Sequence, residues 1–314
     1  MRFRTLLLAL PLALSAAEVE KLSVPTPDGP REVLAAVPTG PRKPGRPLVL
    51  LFHGHGGNAR HTLGLGAVKG SPLAAWLAVA DREGIVVVAL DGAKGADGKQ
   101  GWNDGRAGRS GNPATDDVAY VRAALAALQE RFATDPSRTY AMGMSNGGVF
   151  TFRLALELDP PLAAIAATCA SMPGERPPAQ PPRPLSVLLI EGTKDPLMPY
   201  GGGQVHFYKQ LRGAVLGTEA TLAVWRGAGR LTGPAAVQDL PHRDPKDPTR
   251  VTRLTWGRTG GPQVSLLKVM GGGHCEPSLS QHYGLIYTQI CGAQNHDLEG
   301  AEEAWAFFRD KKSN

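Results

Sequence analysis

The stretch that most constrains this chain is Tyr140-Ala141-Met142-Gly143-Met144-Ser145-Asn146-Gly147-Gly148, a short apolar strand running straight into Gly-x-Ser-x-Gly. Val149 to Leu156 follow at once with the apolar density of a buried helix. A strand-to-helix turn this tight brings the residues two before and two after Ser145 against each other and against neighbouring backbone. Side chains would clash there, which accounts for Gly143 and Gly147. Ser145 is then held at the strand tip above a helix N-terminus, where developing negative charge is favoured. The pentapeptide alone is a weak signal in a chain with 39 glycines, and an ordinary Gly/Ser turn is the bland alternative. The flanking strand and helix give it meaning, provided that the chain also supplies a base, an acid and an oxyanion site in the right order.

Elsewhere, Leu48 to Gly54 and Ile85 to Leu90 are continuous apolar runs suited to strands buried on both faces. Val19 to Val37, broken by Pro25, Pro27, Gly29 and Pro30, reads as an antiparallel hairpin at a sheet edge. Pro72 to Asp81 is helical in pattern, and Val118, Val121, Leu125 and Leu128 share one helical face behind Asp116 and Asp117. Past the central turn come short strands at Ala163 to Ala167 and Leu185 to Gly192, then a helix expected over Gln204 to Arg226. An alternating run from Arg250 to Trp256, a last strand from Val264 to Met270 and a helix from Leu298 to Phe308 complete the pattern. Strands alternating with helices predict one α/β domain over residues 18–314, with a mostly parallel central sheet flanked by helices and a ligand site at the carboxyl ends of its strands.

A serine hydroxyl needs a histidine to take its proton and a carboxylate to hold that imidazole. In an α/β-hydrolase sheet these arrive in the order Ser, Asp or Glu, His, each just past a strand end. Asp195 lies on the loop after the strand that ends in Glu191, and His274 follows Gly271-Gly272-Gly273 after the last strand. Glu191, the competing acid, lies too near its strand, and His61, His206, His242, His282 and His296 fall away from strand ends. The expected oxyanion site joins the N–H of Asn146 to one from the loop His53-Gly54-His55-Gly56-Gly57-Asn58, assigned to His55 with Gly56 as the alternative. His53-x-His55 has zinc-like spacing, but ordering of this loop explains the two histidines better, and no metal is expected.

Composition narrows the setting. Met1 to Ala17 has a basic start, an apolar run and small residues at its end, the pattern of a signal peptide, so the mature chain is expected to begin near Glu18 and to be secreted, extracellular or periplasmic. The apolar run is too short for a membrane anchor. Net charge is +6, with basic residues scattered rather than striped, which argues against nucleic acid as a partner. Of the three cysteines, Cys275 and Cys291 are candidates for a bridge, leaving Cys169 free and buried.

Six motifs occur in order: His53-Gly54-x-Gly56-Gly57-Asn58, Trp102-Asn103-Asp104, Asp116-Asp117-Val118, the Ser145 turn, Gly192-Thr193-x-Asp195-Pro196-x-x-Pro199-Tyr200 and Gly271-Gly272-Gly273-His274. Together, over Leu48 to Phe308, the chain resembles the secreted esterases grouped with polyhydroxybutyrate depolymerases, which include feruloyl and acetyl-xylan esterases. The resemblance implies an α/β-hydrolase fold and a serine carboxylesterase that works without a cofactor. Its expected substrate is a small or polymer-borne ester, an aromatic or acetyl ester of plant polysaccharide or a short hydroxyalkanoate chain. Trp102, Tyr283 and Tyr287 are the expected substrate contacts. The sequence departs from the family at Asn146, where a small residue is usual, and at Cys275-Glu276-Pro277, where Thr-Trp-Pro is usual. Ser278 to Asn295 is a long insert that reads as a lid, a pocket wall or a packed surface loop. Two other readings are a serine peptidase on the same fold and a non-catalytic binding protein on a hydrolase scaffold.

Overall fold

The computed structural model describes residues 17–41, 43–67, 70–106, 111–174, 181–207 and 210–313. The expected leader lies outside them apart from Ala17. The chain opens with β1 (Glu18–Val24) and β2 (Arg31–Val37), an antiparallel pair as expected. β3 (Arg46–Phe52), α1 (Ala59–Thr62), a tight turn of helix at Pro72–Ala75 continued by α2 (Trp76–Glu83), and β4 (Val86–Leu90) follow. A small hairpin of β5 (Ala93–Lys94) and β6 (Gln100–Gly101) precedes α3 (Asp117–Phe132), β7 (Thr134–Met144), α4 (Asn146–Glu157), β8 (Ala164–Thr168) and β9 (Ser186–Gly192). The last third holds β10 (Gly203–Phe207), β11 (Gln210–Val215), α5 (Thr218–Ala228), β12 (Ala236–Asp239), β13 (Arg250–Gly257), β14 (Gln263–Met270), α6 (Leu285–Cys291) and α7 (Gly300–Phe308).

Ten strands form one sheet in the order β1-β2-β4-β3-β7-β8-β9-β14-β13-β12. The six from β4 to β14 run parallel, and antiparallel strands flank them at both edges. Strand alternation puts Leu48, Leu50, Phe52, Val86, Val88 and Leu90 in one apolar layer. Val49, Leu51, Val87 and Ala89 enter the other. A strand buried on both faces cannot afford polar residues on either, which is why β3 and β4 read as unbroken apolar runs. Each such side chain contributes about 1.5–3 kcal/mol relative to exposure. Phe52, Trp102 and Phe150 pack the first layer, with Trp102 and Phe150 stacked at 5.1 Å. Trp76, Tyr140 and Phe308 pack the second, Tyr140 and Phe308 stacked at 4.9 Å.

The helix expected from Gln204 to Arg226 is corrected by the structure. Gly203–Phe207 and Gln210–Val215 form a separate antiparallel hairpin, and only Thr218–Ala228 is helical. Gly213 takes φ 78°, a left-handed conformation that breaks a right-handed helix. In the hairpin, Val205 turns inward between exposed Gln204 and His206, the alternation of a strand.

One buried ion pair fastens the loop that leads to the site. Asp117, fully buried at the start of α3, accepts from Arg31 (2.5 Å), the Thr115 hydroxyl (2.9 Å) and the Asn103 N–H (2.6 Å). Asp117→Ala strands a buried guanidinium and two further donors. It is expected to cost about 3–5 kcal/mol, read as a fall in the urea midpoint at unchanged slope.

Candidate active site

The turn between β7 and α4 is as tight as its glycines suggest. Ser145 sits at φ 54°, ψ −120°, a strained conformation for a residue with a side chain. A Cβ on Gly143 would lie 2.3 Å from the Gly147 carbonyl oxygen, and one on Gly147 would lie 2.3 Å from that of Phe52. The Ser145 N–H donates to the Thr168 carbonyl at 2.9 Å, tying the turn to β8.

The structure brings Ser145, His274 and Asp195 together. His274 Nδ1 and Asp195 Oδ2 are 2.6 Å apart, and His274 Nε2 is 2.9 Å from Ser145 Oγ. Asp195 Oδ1 accepts from the N–H groups of Leu197 and Met198, both at 2.8 Å, so its two oxygens have separate tasks. With the carboxylate fixed on one side, Nδ1 carries the proton and Nε2 is left to accept from the serine. The glycines before His274 permit close approach: a Cβ on Gly273 would lie 2.1 Å from the Cys291 carbonyl oxygen, and one on Gly192 would lie 2.4 Å from that of Gly273. Glu191 points elsewhere, accepting from the Ala170 N–H at 2.9 Å. Burial pushes its carboxyl well above the usual carboxylate range.

The oxyanion loop follows β3. Gly56 N–H is spent on the Gln100 carbonyl at 2.7 Å, whereas the N–H of His55 meets no backbone acceptor among the described residues. That geometry favours His55 over Gly56 as the partner of the Asn146 N–H, which stands at the first position of α4 with no intrahelical acceptor. His53 holds the loop from within. Its Nε2 accepts from the Gly92 N–H at 3.0 Å, so its Nδ1 carries the hydrogen and donates to the Gly54 carbonyl at 2.8 Å. Burial lowers the His53 pKa to about 4, keeping the ring neutral. His55 Nε2 pairs with Asp97 at 2.8 Å. The two histidines thus serve different partners and do not converge as a metal pair. Cys169, Asp195 and His274 do bring ligand-type atoms within 4.8 Å of one another, but the latter two are bonded to each other.

Trp102, expected as a substrate contact, is instead fully buried. Its Nε1 donates to the His53 carbonyl at 3.0 Å, and its ring completes the apolar layer beneath the site. Asn146 explains its own departure from the family pattern. Its side chain accepts from the Trp102 N–H at 2.8 Å and donates to the Trp102 carbonyl at 3.0 Å and to Asp104 Oδ2 at 2.7 Å. Asp104 in turn is gripped by Arg106. Trp102-Asn103-Asp104 is therefore a brace for the nucleophile turn.

Ser145 opens into a cleft of about 210 Å³. Its apolar wall is Leu197, Met198, Val205 and Phe207, the last two from the β10–β11 hairpin. Lys99, Arg106 and Arg212 also line it, with no carboxylate among the described lining residues. The sequence reading missed the hairpin residues. The run Gly201-Gly202-Gly203 before an alternating stretch was the signal for a turn and strand. Tyr287 lines this cleft, and both Tyr283 and Tyr287 line a second cavity beside it. The insert is a pocket wall held by polar ties. Tyr287 O–H donates to the His274 carbonyl at 3.3 Å, Gln294 joins Tyr283 to Glu276, and the Ser278 hydroxyl donates to Glu299. All three cysteines carry free thiols, so the bridge considered for Cys275 and Cys291 is not formed. Leu285 and Ile286 on α6 are 81% and 76% exposed.

The sheet order and the turn at its centre are those of an α/β-hydrolase, and the sequence is similar to proteins named as esterases. The protein named "Putative esterase NocK" of Nocardia uniformis subsp. tsuyamanensis is 29% identical over 287 residues, which cover 88% of this chain and 78% of NocK. Feruloyl esterase B of Piromyces equi is 28% identical over 199 residues, 62% of this chain and 34% of that enzyme, so the chain spans about a third of its length. The prolyl oligopeptidase family matches residues 73–172, a stretch holding Ser145 but neither Asp195 nor His274. The acetyl xylan esterase of Aspergillus awamori shares the fold, with a TM-score of 0.53 at 12% identity over 80% of this chain and 92% of that one.

The buried neutral His53 gives the protein an acid sensitivity. With a folded pKa of about 4 against 6.5 when unfolded, the unfolded chain binds a proton that the folded one refuses between those values. The stability that His53 contributes is therefore full above pH 6.5 and falls as pH drops toward 4, by on the order of 3 kcal/mol. The cost of His53→Gln, measured by urea unfolding, should be about 2 kcal/mol smaller at about pH 4.5 than at about pH 7.5.

Proposed function

We propose that this chain is a secreted serine carboxylesterase whose nucleophile is Ser145. The unbroken run of hydrogen bonds from Asp195 through His274 to Ser145 carries the proposal. As the Ser145 oxygen attacks the ester carbonyl, His274 Nε2 takes its proton and the buried Asp195 carboxylate stabilises the imidazolium. The N–H groups of Asn146 and His55 meet the developing oxyanion, a contribution worth about 3–4 kcal/mol for each donor in comparable sites. Collapse of the tetrahedral intermediate breaks the bond to the alcohol, which leaves with the proton from His274. Water, activated by His274, then attacks the acyl-enzyme and releases the acid and Ser145.

The substrate class is an aromatic or acetyl ester of plant polysaccharide, or a short hydroxyalkanoate. The names of the relatives and the small apolar-walled cleft support this reading. A peptidase on the same fold has the match over residues 73–172 in its favour. Turnover of a nitrophenyl ester alongside the nitroanilide of the same acyl group separates the two readings.

Ser145→Ala is expected to lower kcat/KM on nitrophenyl acetate by on the order of 10⁶-fold while leaving the thermal midpoint within a few degrees of wild type. Retention of activity in that variant would sink the proposal. Export rests on Met1 to Ala17, and β1 begins directly afterwards at Glu18. Amino-terminal sequencing of protein recovered outside the cytoplasm should start near Glu18.

A further inference from the structure

The cavity beside the catalytic cleft encloses about 520 Å³ and shares Gly54, His55, Met144 and Tyr287 with it. Glu276 and Tyr283 stand on its wall. Glu276 is only 4% exposed. Its Oε2 accepts the Tyr283 O–H, but its Oε1 is buried without a hydrogen-bond partner. A buried carboxyl oxygen left in that state costs free energy comparable to a lost hydrogen bond, which a hydroxyl brought to it would recover. The pair is also held in place before any ligand arrives. Gln294 accepts from the Tyr283 N–H at 2.9 Å and donates to the Glu276 carbonyl at 2.9 Å, while the Tyr283 and Tyr287 rings stack at 4.2 Å.

The other walls decide what kind of group fits. Arg60 lines the same cavity, together with His53, His55 and His61. A guanidinium there opposes an ammonium group, and Glu276 opposes a carboxylate. A neutral hydroxyl suits both, donating to the ionised carboxyl and accepting from the protonated one. Burial raises the Glu276 pKa to about 7, so both forms are populated near neutrality.

We propose that this cavity is a subsite for a neutral hydroxyl-bearing part of the ester, with Glu276 as its specificity-determining residue and Tyr283 as the residue that positions it. The proposal rests on the esterase reading and adds to it the group that the enzyme selects. It also gives a use to the glutamate that stands where the family has an aromatic residue.

The test uses two matched pairs of esters: nitrophenyl hydroxybutyrate with nitrophenyl butyrate, and glyceryl butyrate with propyl butyrate. Each rate is divided by that of alkaline hydrolysis to remove intrinsic reactivity. In at least one pair the wild type should favour the hydroxylated ester by about tenfold or more in kcat/KM, carried mainly by KM. The double variant Glu276→Leu with Tyr283→Phe removes both polar groups together, so that neither is left buried alone, and its ratio should fall to about one. Glu276→Gln keeps shape and a donor and should retain part of the preference. If the double variant does not fold, Glu276→Gln decides, with a ratio at least about threefold below wild type expected. Ratios in wild type that match those of the variants in both pairs would overturn the proposal. Absence of Ser145-dependent turnover on the plain esters would instead overturn the esterase reading.

Discussion

The close approach of backbone to backbone at the Ser145 turn is the constraint on which the site depends. Gly147 lies against the carbonyls of Phe52 and His53, so the end of β3, the end of β7 and the start of α4 are packed at a distance that no side chain could share. A serine at positive φ does not persist unless its surroundings over-determine it. Here the surroundings do so through His53, Trp102 and Asn146. Each bonds to backbone on a neighbouring segment. Apolar stacking below and directed hydrogen bonds above hold the turn and the oxyanion loop as one unit. Such an arrangement needs little reorganisation when charge appears on the substrate.

The cleft and the relay obey different electrostatics. Asp195 and His274 are buried and spent on each other, while Lys99, Arg106 and Arg212 give the cleft a basic lining. Two of those cations are matched by acids set behind them, Asp104 for Arg106 and Asp97 for Arg212. Asp97 also holds His55 and thereby joins the basic rim to the oxyanion loop. A charge change at Asp97 therefore reaches both.

How far the sequence revealed this structure depends on the range of the interactions. The relay residues were legible because each follows its own strand, and strand runs such as Leu48 to Phe52 are local signals. The flanks of Ser145 were legible for the same reason. Trp102 was misjudged because its burial depends on Phe52 and Phe150, distant in the chain, and no local pattern marks it. Asn146 looked like an anomaly until its partners on the Trp102 loop came into view. The hairpin after Gly203 was read as a helix because apolar density between Val205 and Trp225 outweighed the glycines. Left-handed Gly213 overrules that density in the fold. The insert was undecidable from sequence, since polar ties such as Gln294 to Glu276 have no periodicity to read.

The relay sits just past the ends of β7, β9 and β14, three strands of the parallel sheet. The walls that surround it come in part from the β10–β11 hairpin and the segment around α6, which are not strands of that sheet, and in part from the loops after β3 and β9. Cutting is thus written at the strand ends, and choosing partly on the hairpin and partly beside the relay itself, where Glu276 follows His274 by two residues and the His274 N–H donates to the Cys291 carbonyl at 2.6 Å. The β10–β11 hairpin supplies no strand of that sheet, so its length and its side chains can change without cutting into the strands that carry the relay.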